Sequence, residues 1–172
     1  LITYRVSEPQ PLYSQVYEPG IIMGAQGTKY AYLEGKQYNY SAGYILALFM
    51  PMPIQCEILN VSPEKPLLGA AIFFDRNKLD QLLLKMDRIE PPCVKPDVIN
   101  ASGIFSAPLN DNLLDATIRL FKTLNNPSEA TILGESIIDE IYYRILSDEQ
   151  GGALTHLLRQ RGQIQQISRA VE

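Results

Sequence analysis

Few side chains in this sequence are arranged as a catalyst would need them. There is one histidine, His156, and any Ser-His-Asp arrangement would have to run through it. It falls near the end of a helical stretch, where a surface position is the simpler reading. The two cysteines, Cys56 and Cys93, match no metal or redox spacing. They read as buried or half-buried thiols in a reducing compartment. A metal-assisted barrel enzyme needs several imidazole or carboxylate ligands converging inside, and the β-rich first half of this chain contains no histidine. No Gly-x-Ser-x-Gly elbow and no phosphate-cradling glycine loop occurs. The expectation is no catalytic residue, no metal and no cofactor. Glu140 and Arg144, one helical turn apart, read as an i,i+4 ion pair worth about a few tenths of a kcal/mol.

The elements that hold these residues fit an ordinary globular protein. The chain has 172 residues, 46% of them apolar and 20% charged, enough for one domain or one domain with a smaller lobe. No run of about 18 apolar residues and no signal-peptide pattern occurs, which points to the cytoplasm and away from membranes. The chain begins at Leu1, so a native start upstream is expected. A net charge of −4 argues against a firm grip on nucleic acid by this chain alone. The basic cluster Arg159, Arg161 and Arg169 comes late.

The pattern changes near residue 107. Before it, β-type runs recur every 8 to 12 residues or so, the rhythm of a sandwich or barrel. The spacing predicts strands at Ile21 to Gln26, Lys29 to Leu33, Lys36 to Ser41, Tyr44 to Phe49, Ile54 to Val61 and Leu67 to Phe74. Pro51 and Pro53 are read as breakers. Asp75 caps a short helix through about Met86, and Val98 to Phe105 returns as a strand. After it, Asn112 to Leu124 carries the stripe Leu113, Leu114, Thr117, Phe121 and Leu124. Asn126-Pro127-Ser128-Glu129 then opens a second helix, and Gly151-Gly152 ends or interrupts it. That helix carries a stripe of Leu133, Ile137, Ile141 and Ile145, read either as core or as a dimer contact.

Turn lengths assign faces. A two-residue loop at Glu34-Gly35 sets Leu33 opposite Lys36, Ala31 opposite Tyr38 and Lys29 opposite Tyr40. A similar loop at Gly27-Thr28 would set Gln26 opposite Lys29 and Gly24 opposite Ala31. The favoured interior face is then Ile22, Gly24, Gln26, Ala31, Leu33, Tyr38 and Tyr40, with the lysines near the strand ends. Pocket candidates are Gly24, Gln26, Tyr38, Tyr40, Met50 and Glu57; plain filling of the interior is the alternative for each.

The segment Tyr17-Glu18-Pro19, followed by Ile22 to Tyr32 with its Gln26-Gly27-Thr28-Lys29 turn, resembles the start of the AraC-type regulator N-terminal domain. A denser set of matches runs from Arg119-Leu120 through Asn126-Pro127-Ser128-Glu129, Leu133, Glu140-Ile141 and Tyr143-Arg144-Ile145-Leu146 to Gln150-Gly151-Gly152. The resemblance implies an α+β chain: a cupin-like β-barrel of jelly-roll type over 1–106, including the helix at about 75–87, then a helical dimerisation segment over 107–172. It implies a small-molecule effector in the barrel and a homodimer through Leu133, Ile137, Ile141 and Ile145. DNA would be read by a helix-turn-helix domain absent from this chain, to which Ile164 to Glu172 resembles the lead-in. Sugar-sensing relatives carry an arginine where this chain has Gly24, so a sugar contact does not transfer. The alternatives are a cupin-like isomerase or oxygenase and a non-regulatory ligand-binding barrel.

Overall fold

The computed structural model describes residues 1–89, 103–148 and 151. Cys93, His156, Arg159, Arg161, Arg169 and the beginning of the strand expected from Val98 lie outside the described residues. The described part is α+β, with nine strands in two antiparallel sheets and three helices.

The five-stranded sheet runs β1 (Ile2–Val6), β8 (Leu67–Phe73), β3 (Gly20–Gln26), β6 (Tyr44–Leu48) and β9 (Ile104–Pro108). The four-stranded sheet runs β2 (Gln10–Tyr17), β7 (Met52–Ile58), β4 (Thr28–Leu33) and β5 (Lys36–Ser41). Among the described residues the expected closed barrel is therefore corrected to two sheets, each with two edges. Between them lies a core of Ile22, Leu46, Leu48, Ala71 and Ile104 from one sheet and Tyr17, Ala31, Tyr40, Ile54 and Cys56 from the other. Ile21, Met23, Ile45, Ala47 and Ile72 are buried as well. The five-stranded sheet is thus apolar on both faces, which is why β6 reads as a continuous apolar run rather than an alternating one.

The β4–β5 hairpin pairs as its loop length predicts: Leu33 with Lys36, Ala31 with Tyr38, Lys29 with Tyr40. Glu34 and Gly35 both take positive φ, the signature of a two-residue hairpin turn. The expected β3–β4 hairpin does not form. β3 pairs with β6 and β8, while β4 pairs with β5 and β7. Gly27, at φ +80°, carries the chain from one sheet to the other. Two strands before Ile21 were not expected. β1 pairs with β8, and β2 pairs with β7 through an irregularity between Gln10 and Tyr13. Pro53 does not break β7. It lies opposite Val16, and the pairing with β4 ends at Tyr32–Gln55, so no β4 acceptor waits for its missing N–H.

The chain divides into two compact units, and the boundary differs from 106/107. One holds 1–74 with 103–109; the other holds, among the described residues, 75–89, 110–148 and 151. The helix α1 (Arg76–Ile89) belongs to the second, because it packs on α3 (Pro127–Leu146). The Asp75 N–H donates to the Tyr142 hydroxyl at 3.1 Å, and Lys78 pairs with Glu135 at 3.3 Å. Asp75 Oδ1 caps α1 by accepting from Lys78 N–H. The helix α2 (Asp111–Thr123) is capped by Asn110 and buries Leu113, Ala116, Thr117 and Leu120. The buried stripe is therefore rotated from the expected one: Leu114 and Leu124 are exposed. Asn126 caps α3 by accepting from Ser128 and Glu129 N–H, with Pro127 in the first turn. Glu140 accepts from Arg144 as expected, and also from Arg119 of α2 at 2.6 Å. The helix ends at Leu146, before the glycine pair.

Candidate functional site

Strand β2 presents Tyr13 and Tyr17 on one face, because residues four apart on a strand point the same way. Strand β4 brings Lys29 between Tyr40 of β5 and Ile58 of β7. The Lys29 ammonium stands 5.4 Å from the centre of the Tyr13 ring and 5.2 Å from that of Tyr17. Lys29 is only 8% exposed, and among the described residues no carboxylate forms an ion pair with it. Each ring face returns about 0.5–2 kcal/mol to the cation. Burial works the other way and pulls the amine below the ordinary lysine range, with nearby Cys56 offsetting part of that effect.

Behind the lysine the polar groups are chained. The Tyr17 and Tyr40 hydroxyls share a hydrogen bond of 3.0 Å, and the Tyr17 oxygen lies 3.2 Å from Cys56 Sγ. Burial first, then Tyr13, pushes the Tyr4 phenol up to about 12; burial first, then Cys56, does the same to Tyr13. Tyr17 and Tyr40 are pushed up further, again mainly by burial. All four are neutral phenols at neutral pH, able to donate a hydrogen bond.

These residues line a cavity of about 420 Å³ within the β unit, inside the range of about 300–1,000 Å³ usual for small-molecule sites. Its apolar wall is Ile2, Val6, Ile22, Ile58, Leu67, Ala71 and Phe73. Tyr4, Tyr13, Tyr17, Tyr40 and Lys29 supply the polar groups, and Gln10, Gln15 and Glu18 are the exposed polar residues on its boundary. Tyr4 lies across Gly69, its register partner on β8. A Cβ on Gly69 would collide with the Tyr4 ring and hydroxyl.

Of the six pocket candidates, Tyr40 lines this cavity. Gly24 is used for a close backbone approach instead: a Cβ there would collide with the Ser41 carbonyl, and Gly43 N–H donates to the Gly24 carbonyl at 3.0 Å. The register irregularity between Gly24 and Gln26 takes Gln26 off the interior face, and its amide donates outside to the Pro66 carbonyl at 2.8 Å. Tyr38 and Met50 are half-buried against the inter-sheet core. Glu57 accepts from the Tyr32 hydroxyl at 3.2 Å. None of these five borders the cavity. Of the helix stripe, Ile137, Ile141 and Ile145 are buried within the chain itself, while Leu133 is exposed, as are Ile132 and Tyr143.

Sequence reasoning missed Lys29, Tyr17, Tyr13 and Tyr4. Lys29 was within reach: the hairpin pairing set it opposite Tyr40 and in phase with Ala31. Tyr13 and Tyr17 carry the signal of four-residue spacing in a strand. Nothing local marks Tyr4, whose place depends on pairing with β8. Among the described residues no group of three or more His, Cys, Asp or Glu side chains stands together as a metal site, and no helix is long and apolar enough to cross a membrane.

The sequence matches the family profile of the AraC-type transcriptional regulator N-terminus over residues 1–153. The chain belongs to this family. The AraC-type domain has similar folds among solved structures. An apo ToxT variant from Vibrio cholerae shares its fold at a TM-score of 0.60 and 10% identity, over 85% of this chain and 53% of that one. An unsaturated-fatty-acid-bound wild-type ToxT from the same organism aligns at a TM-score of 0.52 and 7% identity, over 87% of this chain and 58% of that one. The AraC-type domain thus spans little more than half the length of these structures. Comparison with curated proteins returns no match.

Proposed function

We propose that this AraC-type domain senses a small amphipathic carboxylate in the β-unit cavity. Through a homodimer it would relay occupancy to a helix-turn-helix DNA-binding domain on its C-terminal side. The observation that carries the ligand class is Lys29: a lysine nine-tenths buried as a residue on a cavity wall, its ammonium beside two aromatic faces and in no ion pair with a carboxylate among the described residues. A ligand carboxylate would supply the missing counter-charge, the phenols of Tyr13 and Tyr17 would flank it, and the apolar wall would take a hydrocarbon chain. The fatty acid in one ToxT structure of similar fold supports this choice.

The two-sheet unit is read as cupin-like, of jelly-roll type, acting in the cytoplasm as a sensor and not as an enzyme. A carboxylate that binds one conformation better by about 1–3 kcal/mol would suffice to switch the regulator. Homodimer contacts are assigned to the exposed apolar residues of the helical unit, Ile132, Leu133 and Tyr143 on α3 with Leu114 and Ile118 on α2. Dimerisation would place two readers on adjacent half-sites.

The test is decanoate binding, followed by tyrosine fluorescence and calorimetry, to the parent and to Lys29→Met. A charge-assisted hydrogen bond is worth about 1.5–3 kcal/mol, so the variant should bind about 10- to 150-fold more weakly. Equal affinities would remove Lys29, and with it the carboxylate, from the assignment.

A further inference from the structure

The environment that suits Lys29 to an anion also suits it to a covalent bond. Exposed lysines are almost wholly protonated at neutral pH, and an ammonium is no nucleophile. Lys36, Lys65, Lys85 and Lys122 are all exposed. Lys29 differs in three ways visible in the geometry. It is buried, it faces a cavity with a largely hydrocarbon wall, and no carboxylate among the described residues holds its proton in place. Phenols stand around it: Tyr13 and Tyr17 present their ring faces, and the Tyr17 hydroxyl is held by Tyr40 and Cys56. Desolvated amines in apolar pockets are the ones that form Schiff bases with carbonyl compounds.

We propose that Lys29 condenses reversibly with an aldehyde carrying an apolar chain, so that one cavity takes a carboxylate as an ion pair and an aldehyde as an imine. This rests on the cavity being the effector site. In the first step the Nζ lone pair attacks the carbonyl carbon. The new N–C bond forms as the C=O π bond breaks, and the carbonyl oxygen ends as a hydroxyl after taking one amine proton. In the second step that hydroxyl leaves as water with the remaining amine proton, giving C=N. No oxidant or reductant enters, and water reverses the sequence. The lowering of the Lys29 pKa by burial acts in the same direction, since it enlarges the fraction of free amine.

The experiment treats the protein with decanal and cyanoborohydride at neutral pH, then maps the decyl mass gain on peptides over time. Lys29 should be labelled severalfold faster than Lys36, Lys65, Lys85 and Lys122. Excess decanoate should slow labelling at Lys29 while leaving the surface lysines unchanged. In Lys29→Arg the fast labelling should vanish. Labelling of Lys29 no faster than that of the surface lysines overturns the inference. Decanoate binding without reductant separates the two claims. If decanoate binds but Lys29 is not preferentially trapped, the imine alone fails. If decanoate neither binds nor protects while Lys29 is still labelled fastest, the carboxylate reading fails and the imine stands.

Discussion

Replacing Lys29 by methionine should do two things of opposite sign: weaken effector binding and strengthen the empty fold. Methionine keeps the reach of the side chain and removes the charge. An ion withdrawn from water costs several kcal/mol after relaxation. The rings of Tyr13 and Tyr17, at 5.4 and 5.2 Å, return about 0.5–2 kcal/mol each, and no carboxylate among the described residues returns more. The balance leaves the charged form disfavoured in the folded state, in agreement with the lowered pKa. With the folded pKa below the unfolded one, the unfolded chain binds more protons between the two values. Parent stability should therefore rise with pH across the window from the depressed value up to the ordinary lysine value, about 10.4. Below that window the penalty is present in full. At neutral pH we expect Lys29→Met to be more stable by about 1 kcal/mol or more, about 2–4 °C in Tm for a chain of this size. The measurement is urea denaturation of both proteins from pH 6 to 10. The parent curve should climb towards that of the variant as pH rises. A variant less stable than the parent at pH 7, or a gap that does not change with pH, would refute the account of Lys29 as an uncompensated cation.

Three further variants test the hydroxyl chain and the helical unit. Tyr17→Phe removes the partner of the fully buried Tyr40 hydroxyl and the contact to Cys56; the loss should be about 1–3 kcal/mol by urea denaturation, and a change under about 0.5 kcal/mol would show the hydroxyl chain to be satisfied otherwise. Leu133→Asp, at an exposed position, should lower the sedimenting mass with little change in Tm, whereas Ile141→Asp, at a fully buried one, should unfold the helical unit outright by stranding a charge; unchanged sedimentation of Leu133→Asp would move the dimer contact elsewhere.

Local signals were legible where local chemistry decides. The Glu34-Gly35 turn fixed a register, Asn126-Pro127 fixed a helix start, and Asp75 fixed another. What the sequence hid was decided by distant partners. Gly27 looks like a hairpin residue, yet its neighbours on either side pair in different sheets, and no residue nearby records that choice. Gly24 looked like room for a ligand because a missing side chain does not say whether solvent, ligand or backbone fills the space; here it is the Ser41 backbone. The isoleucines of α3 are periodic enough for core or interface; Ile137, Ile141 and Ile145 are buried within the one chain. The cavity itself was the least legible feature. It is built from β1 and β2, whose short, tyrosine- and glutamine-bearing runs carry little hydrophobic alternation, and from their pairing with β8 and β7 far along the chain.

The two N-terminal strands have one ladder neighbour each, β8 for β1 and β7 for β2. Either can detach and leave its neighbour still paired on the other side, β8 with β3 and β7 with β4, so amide exchange should be fast there. Since Ile2, Tyr4, Tyr13 and Tyr17 all border the cavity, an occupant touching both strands would act as a seam, fastening these two edge strands to the rest. Ligand occupancy would then be recorded first as the ordering of the opening seventeen residues, before any rearrangement elsewhere.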